Sequence, residues 1–281
     1  MKIGKYEVKL IQSGLFALDG GAMFGIIPKP LWNKSNPADE KNRIKLGAKC
    51  ILLESDSKKI LVDTGVGGDW DEKFLNIYDV EYSTNHLIDE LKNIQISPNE
   101  ITDVILTHLH FDHTGGSVVF KNGKPLPAFQ NAKYHVQEEH FKWAVNPSDR
   151  DKGSFIKDRF MPMITEGILN LSNELKFDDE IEFIKVYGHT IGMQLVKLAD
   201  SSQTILYCAD LVPTSSHVPI PYVMGYDIQP LETVKEKKSI FPQAVEEEWK
   251  LIFEHDPFIS AATIQKTDKG FSIKEKFVDL K

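Results

Sequence analysis

Alternation of apolar and polar positions marks the first strands. Residues 6–12 read as one strand, and residues 50–54 and 59–63 as two more joined by a turn at Asp56-Ser57. Between them, residues 20–39 carry glycines, prolines and no clear periodicity, which predicts a long loop of the kind that covers or forms a site. Leu87, Ile88, Leu91 and Ile94 then fall on one helical stripe, with Thr84 as candidate cap, predicting a helix over 84–94. Residues 101–106 read as a buried strand, and helices are expected at 138–145 and 156–169. Strands follow at 180–186, 194–198 and 204–208, then a helix over 232–253 and closing strands at 259–265 and 271–276. Strands followed by helices, given twice, predict an α/β architecture of two mixed sheets flanked by helices. No low-complexity run or linker divides the chain, so residues 1–281 are expected to form one domain.

Composition narrows the functional classes. A chain of 281 residues buries roughly three quarters of its unfolded surface. Its 41% apolar and 26% charged content is that of a soluble globular protein. The net charge of −8 argues against a broad nucleic-acid or anionic-membrane surface. Cys50 and Cys208 show no paired spacing and read as buried small residues. The N-terminus lacks the apolar core of a secretory signal, and no stretch reaches the roughly 20 apolar residues of a membrane span, so a cytoplasmic location is expected.

The chemistry concentrates at strand ends. Thr107-His108-Leu109-His110-Phe111-Asp112-His113-Thr114-Gly115-Gly116 places three imidazoles and a carboxylate in six positions, just after a strand. These are ligands for zinc and neighbouring first-row metals. Gly115 and Gly116 are expected to supply backbone freedom for the turn. His189 in a GHTxG stretch, Asp210 after an apolar run and His255 past an expected helix each have an ordinary alternative: a satisfied turn histidine, a cap and a helix-end histidine. Together they supply five histidines and two aspartates, enough for two metals with coordination positions left for water. Asp63, also at a strand end, is a candidate to orient a ligand histidine.

This combined pattern resembles the metallo-β-lactamase superfamily, whose αββα sandwich carries metals at one edge. HxHxDH over His108–His113, the GHT of His189, the AD of Asp210, the final His255 and Asp63 all match its motifs. The resemblance implies that His108, His110 and His189 hold one metal and Asp112, His113 and His255 a second, with Asp210 bridging. It implies two divalent ions, with zinc expected and manganese, iron or cobalt as alternatives, and proton-transfer roles for Asp112 and Asp210. Asp210 stands where the commonest true β-lactamases carry cysteine, which argues against penicillin hydrolysis; His110 stands where flavodiiron enzymes carry glutamate, which favours hydrolysis over redox chemistry.

Within the superfamily, residues 18–32, 107–116 and 209–214 are similar to the N-acyl-homoserine lactonases and to methyl-parathion-type organophosphate hydrolases. That likeness implies lactone opening by hydroxide held between two metals, with organophosphate triester and glyoxalase-II-like thioester hydrolysis as alternatives. Met23, Phe24, Phe111, His217, Tyr222 and Tyr226 are the candidate substrate contacts, with Ile26, Ile27 and Trp32 either beside them or packed on the core. His217 is expected to touch substrate or face solvent, and His86, His135 and His140 to be structural. The small-molecule partner is a lactone or ester, and the N-terminal loop is a candidate homodimer contact.

Overall fold

The third strand of this chain is buried at every position from Leu46 to Leu53, so it must be covered on both faces. The computed structural model describes residues 1–82 and 86–280. β1 (Lys2–Ile3), β2 (Tyr6–Asp19), β3 (Arg43–Glu54), β4 (Lys59–Val62) and β5 (Asp103–Ile105) lead the first sheet. A small separate hairpin follows, β6 (Val118–Lys121) and β7 (Lys124–Pro127), before β8 (Lys133–Gln137) and β9 (Leu169–Ser172) complete that sheet in the order β1-β2-β3-β4-β5-β8-β9. Alternate side chains separate by the two-residue period of a strand. Ile51, Leu53, Ile60, Val62 and Ile105 face the centre of the molecule, whereas Cys50, Leu52, Leu61, Val104 and Leu106 pack beneath the outer helices.

The second sheet holds β10 (Ile181–Val186), β11 (Met193–Ala199), β12 (Thr204–Tyr207), β13 (Lys250–Ile252), β14 (Ala261–Thr267) and β15 (Gly270–Phe277), in sequence order. Its Val196, Leu198, Ile205, Tyr207 and Ile252 share the face turned to the first sheet, where the Tyr207 hydroxyl donates to the Lys49 carbonyl of β3. Both sheets are mixed. β4, β5, β8 and β9 run parallel, as do β12 and β13, while the other neighbours are antiparallel. With helices outside, this is the αββα sandwich expected from the sequence.

Several local expectations change. The first strand continues to Asp19 past an irregularity between Gln12 and Leu15. The expected loop at 20–39 contains two short helices, Gly20–Phe24, capped by the Asp19 carboxylate on the Ala22 amide, and Lys29–Trp32. Its apolar residues explain the order: Phe24 and Trp32 are fully buried in a third cluster with Phe16, Ile44 and Leu46. The helix expected at 156–169 is only Met161–Thr165, because Gly167 takes a left-handed backbone and the chain leaves as β9. Likewise the helix expected over 232–253 spans Pro230–Glu246; Glu248 turns left-handed and β13 then pairs with β12. His255 therefore follows a strand. The 84–94 helix is observed as His86–Asn93, and its candidate cap Thr84 lies outside the described residues. Among the described residues, no helix is long and apolar enough to cross a membrane.

The parallel strands position the site. The chain leaves β4 at Asp63, β5 toward His108, β12 toward Asp210 and β13 toward His255. Side chains outside the carboxyl ends of parallel strands from two facing sheets thus converge on one edge of the sandwich.

Candidate metal centre

Asp63 starts the site with a left-handed backbone, φ 56°. Its carboxylate is fully buried and accepts hydrogen bonds from the Thr107 amide and the Thr107 hydroxyl, both at 2.7 Å. That grip fixes the first residue of the histidine loop. Gly115 and Gly116 serve the loop differently from expectation. Gly115 has an ordinary helical backbone, φ −56°, and the need is for space: a Cβ there would lie 1.7 Å from the Val66 carbonyl oxygen, and one on Gly116 2.1 Å from that of Thr64.

Two groups of ligand-type atoms result. His108 Nε2 lies 3.1 Å from His110 Nδ1, which lies 3.1 Å from His189 Nε2, and Asp210 Oδ2 is 3.0 Å from His189 Nε2. In the second group, His255 Nε2 is 3.3 Å from His113 Nε2 and 3.7 Å from Asp112 Oδ2. Asp210 reaches both: Oδ1 is 3.1 Å from His255 Nε2, and Oδ2 is 3.6 Å from His113 Nε2. All seven side chains are buried. The structure therefore brings together every residue singled out as a metal ligand.

The hydrogen bonds behind the rings test whether cations suit this cluster. His189 Nδ1 donates to Asp227 at 3.0 Å, His255 Nδ1 to the Gly47 carbonyl at 2.9 Å, and His108 Nδ1 to the Thr107 hydroxyl at 3.1 Å. His113 Nδ1 lies 3.0 Å from both Asp63 and Glu254. With these outer nitrogens as donors, the inner Nε2 atoms face one another and need a positive charge between them, a proton or a metal cation. Asp210 Oδ1 lacks a directed hydrogen bond despite its burial. The donor set of imidazoles and carboxylates is that of zinc and related divalent metals.

Charge coupling within the cluster is correspondingly strong. Burial, with repulsion among the histidines, holds His108 and His110 well below the ordinary imidazole range. In His189 and His255 burial also works downward, but Asp210 outweighs it, helped by Asp227 and Glu254 respectively, and lifts them to about 10 and about 9. Burial would raise Asp210, yet His189 and His255 pull it well below the carboxylate range. Protons here sit where cations would, so metal uptake displaces them.

Sequence reasoning missed several supporting groups. Asp227, the partner of His189, is itself held by the Thr233 hydroxyl at 2.9 Å. Glu254 is fully buried with neither oxygen in a directed hydrogen bond, and burial raises it to about 7. Its adjacency to His255 was the only signal available. His140 Nε2 accepts from the Leu109 amide at 2.8 Å while Nδ1 donates to the Ile191 carbonyl at 2.7 Å, tying the two histidine loops together from behind.

A cavity of about 220 Å³ stands over the cluster. Met23, Phe111 and Tyr226 line it, as do Leu18, Tyr78, Met224 and Arg150. Phe24, His217 and Tyr222 are placed elsewhere. Phe24 stacks between Trp32 (5.3 Å) and His217 (4.7 Å), with Tyr222 edge-on at 6.2 Å, a layer behind the cavity wall. His217 neither touches the cavity nor faces solvent: Nε2 donates to the Met23 carbonyl and Nδ1 accepts from the Thr214 hydroxyl, both at 2.8 Å. Burial drives that imidazole down to about 4. Of the remaining expected loop residues, Trp32 is core and Ile26 is 88% exposed.

One turn of the helix Pro230–Glu246 fastens the loops around this cavity. Thr233 holds Asp227, Glu236 accepts from the amides of Tyr187 and Gly188, and the buried Lys237 ammonium donates to the carbonyls of His217, Pro219 and Tyr222. Gly188 permits the contact, since a Cβ there would come within 2.4 Å of the Thr233 amide nitrogen.

The pattern of the family described as the metallo-beta-lactamase superfamily matches residues 44–266. The N-acyl homoserine lactonase AttM of Rhizobium johnstonii is 26% identical over 192 residues, covering 66% of this chain and 69% of that protein. The crystal structure of a probable metal-dependent hydrolase from Staphylococcus aureus is similar with a TM-score of 0.89 and 28% identity, over 99% of this chain and 98% of that one. AidC, a dizinc quorum-quenching lactonase solved with its product, has a TM-score of 0.81 and 19% identity over 99% of this chain and 96% of its own.

Proposed function

We propose, since the chain belongs to the metallo-beta-lactamase superfamily, that it is a dinuclear metal hydrolase whose substrate is a lactone, with N-acyl-homoserine lactones as the first class to test. One observation carries the reading: two groups of buried ligand atoms share the Asp210 carboxylate at the floor of a cavity with apolar walls. The lactonase names of its relatives support the choice of substrate.

His108, His110 and His189 would hold one cation, and Asp112, His113 and His255 the other, with Asp210 serving both. Bound cations, with zinc expected, acidify water toward neutrality and polarise a carbonyl. The chain supplies the rest. Leu18, Met23, Phe111 and Met224 shield the reacting bond from bulk solvent. Asp112, whose side chain lines the cavity, is placed to take a proton as the ring opens and return it to the leaving oxygen. Tyr226 presents its ring, and with it a hydroxyl, to a bound substrate.

The test is ring opening of short- and long-chain N-acyl-homoserine lactones by protein of measured metal content, before and after chelation, with a phosphotriester and a thioester in parallel. Lactone opening that disappears on chelation and returns with metal is expected. Protein holding two metals that opens no lactone but cleaves either other ester would overturn the substrate assignment.

A further inference from the structure

We infer that the substrate carries an anionic group, a carboxylate or phosphate, at the far end of its acyl portion, and that Lys41 and Lys73 receive it. The inference rests on the hydrolase reading above and adds the substrate's charge to it.

The cavity over the ligand cluster does not end at its mouth. A groove of about 730 Å³ adjoins it, with Leu18, Tyr78 and Tyr226 lining both, and it is the space next to the cavity that a long acyl chain would meet. The shared walls are apolar or aromatic and suit methylene groups. Farther out, the lining becomes cationic, with Lys41, Arg43 and Lys73 against one acid, Asp19.

These charges are not equally available. Arg43 is already occupied by Asp39 at 2.8 Å, by Asp79 at 3.1 Å and by the Asn76 carbonyl. Asp19 is occupied as well, accepting from the Ala22 amide and from Asn42. The ammonium groups of Lys41 and Lys73 have neither an ion-pair nor a hydrogen-bond partner among the described residues. Acidic residues outnumber basic ones 41 to 33 in this chain, and the nearby Lys45 pairs with Glu81 at 2.8 Å. Two cations left unpaired along one groove, next to a cavity that admits substrate, form a field that attracts negative charge. Arg150 also lines the cavity, with one guanidinium nitrogen bonded to the carbonyls of Gly225 and Asp227 and the remainder of the fork directed to no acceptor among the described residues.

An uncharged aliphatic tail would use only the apolar walls and the lysine stems, and it would be indifferent to salt. A tail ending in an anion would also meet the ammonium groups, and that part of its binding would be screened as ionic strength rises. Solvent-exposed pairs are individually weak, so the two lysines together are expected to change affinity about three- to ten-fold.

The experiment compares two lactones of equal acyl length, one ending in a methyl and one in a carboxylate, with the wild type and a Lys41→Gln/Lys73→Gln variant at low and high salt. The expected result is a lower KM for the carboxylate-ended lactone in the wild type. That preference should shrink about three- to ten-fold in the variant and likewise at high salt. Equal KM values for the two lactones in the wild type, or a preference that survives in the variant, would overturn the inference while leaving lactone hydrolysis standing. If neither lactone is opened, the lactone reading fails on its own. Calorimetric binding of the ring-opened, carboxylate-ended acid then decides the groove: weaker binding to the variant supports it, and equal binding overturns it.

Discussion

The floor of the cavity and its mouth hold their side chains in different ways. On the floor, His108, His113, His189 and His255 each have the outward ring nitrogen tied to a hydroxyl, carboxylate or carbonyl, and all are almost wholly buried. At the mouth, Tyr226 is 37% exposed, and among the described residues Arg150 is held by two backbone carbonyls alone. The floor is organised before any substrate arrives, as electrostatic catalysis and metal selectivity require. The mouth can change residues without disturbing it, so chemistry and specificity are separable in this molecule.

The sharpest way to break that comparison is on the floor. Asp210→Asn should lower kcat/KM by more than the roughly 100-fold that marks the upper range for residues acting behind a ligand, together with loss of bound metal. Unchanged turnover by a variant loaded with two metals would reject its bridging role. Next in size, Asp227→Asn should weaken metal binding about 10- to 100-fold, read by chelator competition, because His189 loses its orienting partner. Asp63→Asn should cost more than Glu254→Gln in the same assay. Asp63 holds Thr107 twice as well as facing His113, whereas the Glu254 carboxylate faces His113 without gripping the histidine loop's backbone. A larger effect at Glu254 would mean that its buried charge matters more than loop geometry.

A pH experiment probes the layer between floor and mouth. His217 titrates at about 4 when folded, against roughly 6.5 in an unfolded chain. Between those values the unfolded state binds the extra proton, so stability rises with pH across the window and is lost as pH falls from 6.5 toward 4. The slope attributable to His217 is roughly 1.4 kcal/mol per pH unit. Urea unfolding of the wild type and His217→Asn through that range should show a slope steeper in the wild type by about that amount, since His140 contributes its own to both; parallel curves would remove His217 from the account. The smallest effect is expected at the mouth. Tyr226→Phe should alter KM several-fold, as loss of one exposed hydrogen bond does, with metal content preserved.

How much could be read in advance follows the same division. His108–His113 lie within six positions of one another after a strand, and His189, Asp210 and His255 each follow an apolar run, so the side chains that cluster in the fold were visible in one dimension. Asp227 was not, since it meets His189 only because the helix Pro230–Glu246 packs behind both loops. At the mouth the sequence offers apolar composition without direction. Met23 lines the cavity while Phe24 beside it joins the buried stack, as neighbours about 100° apart on a helix must. The expected helix over 232–253 failed for a related reason. Trp249, Leu251 and Ile252 continue an apolar pattern compatible with either period, and only pairing with β12 decides for a strand.

The fastening of three loops to one helical turn through Thr233, Glu236 and Lys237 has a consequence for motion. Segments bolted to a common support do not fray independently; they open together or not at all. Backbone amides at Tyr187, Gly188, Val218 and Asp227 should therefore exchange with deuterium as one cooperative unit, with a shared opening free energy set by the docking of that helix. The side of the cavity formed by Met224, Gly225 and Tyr226, together with the His189 loop, would then behave as a single door.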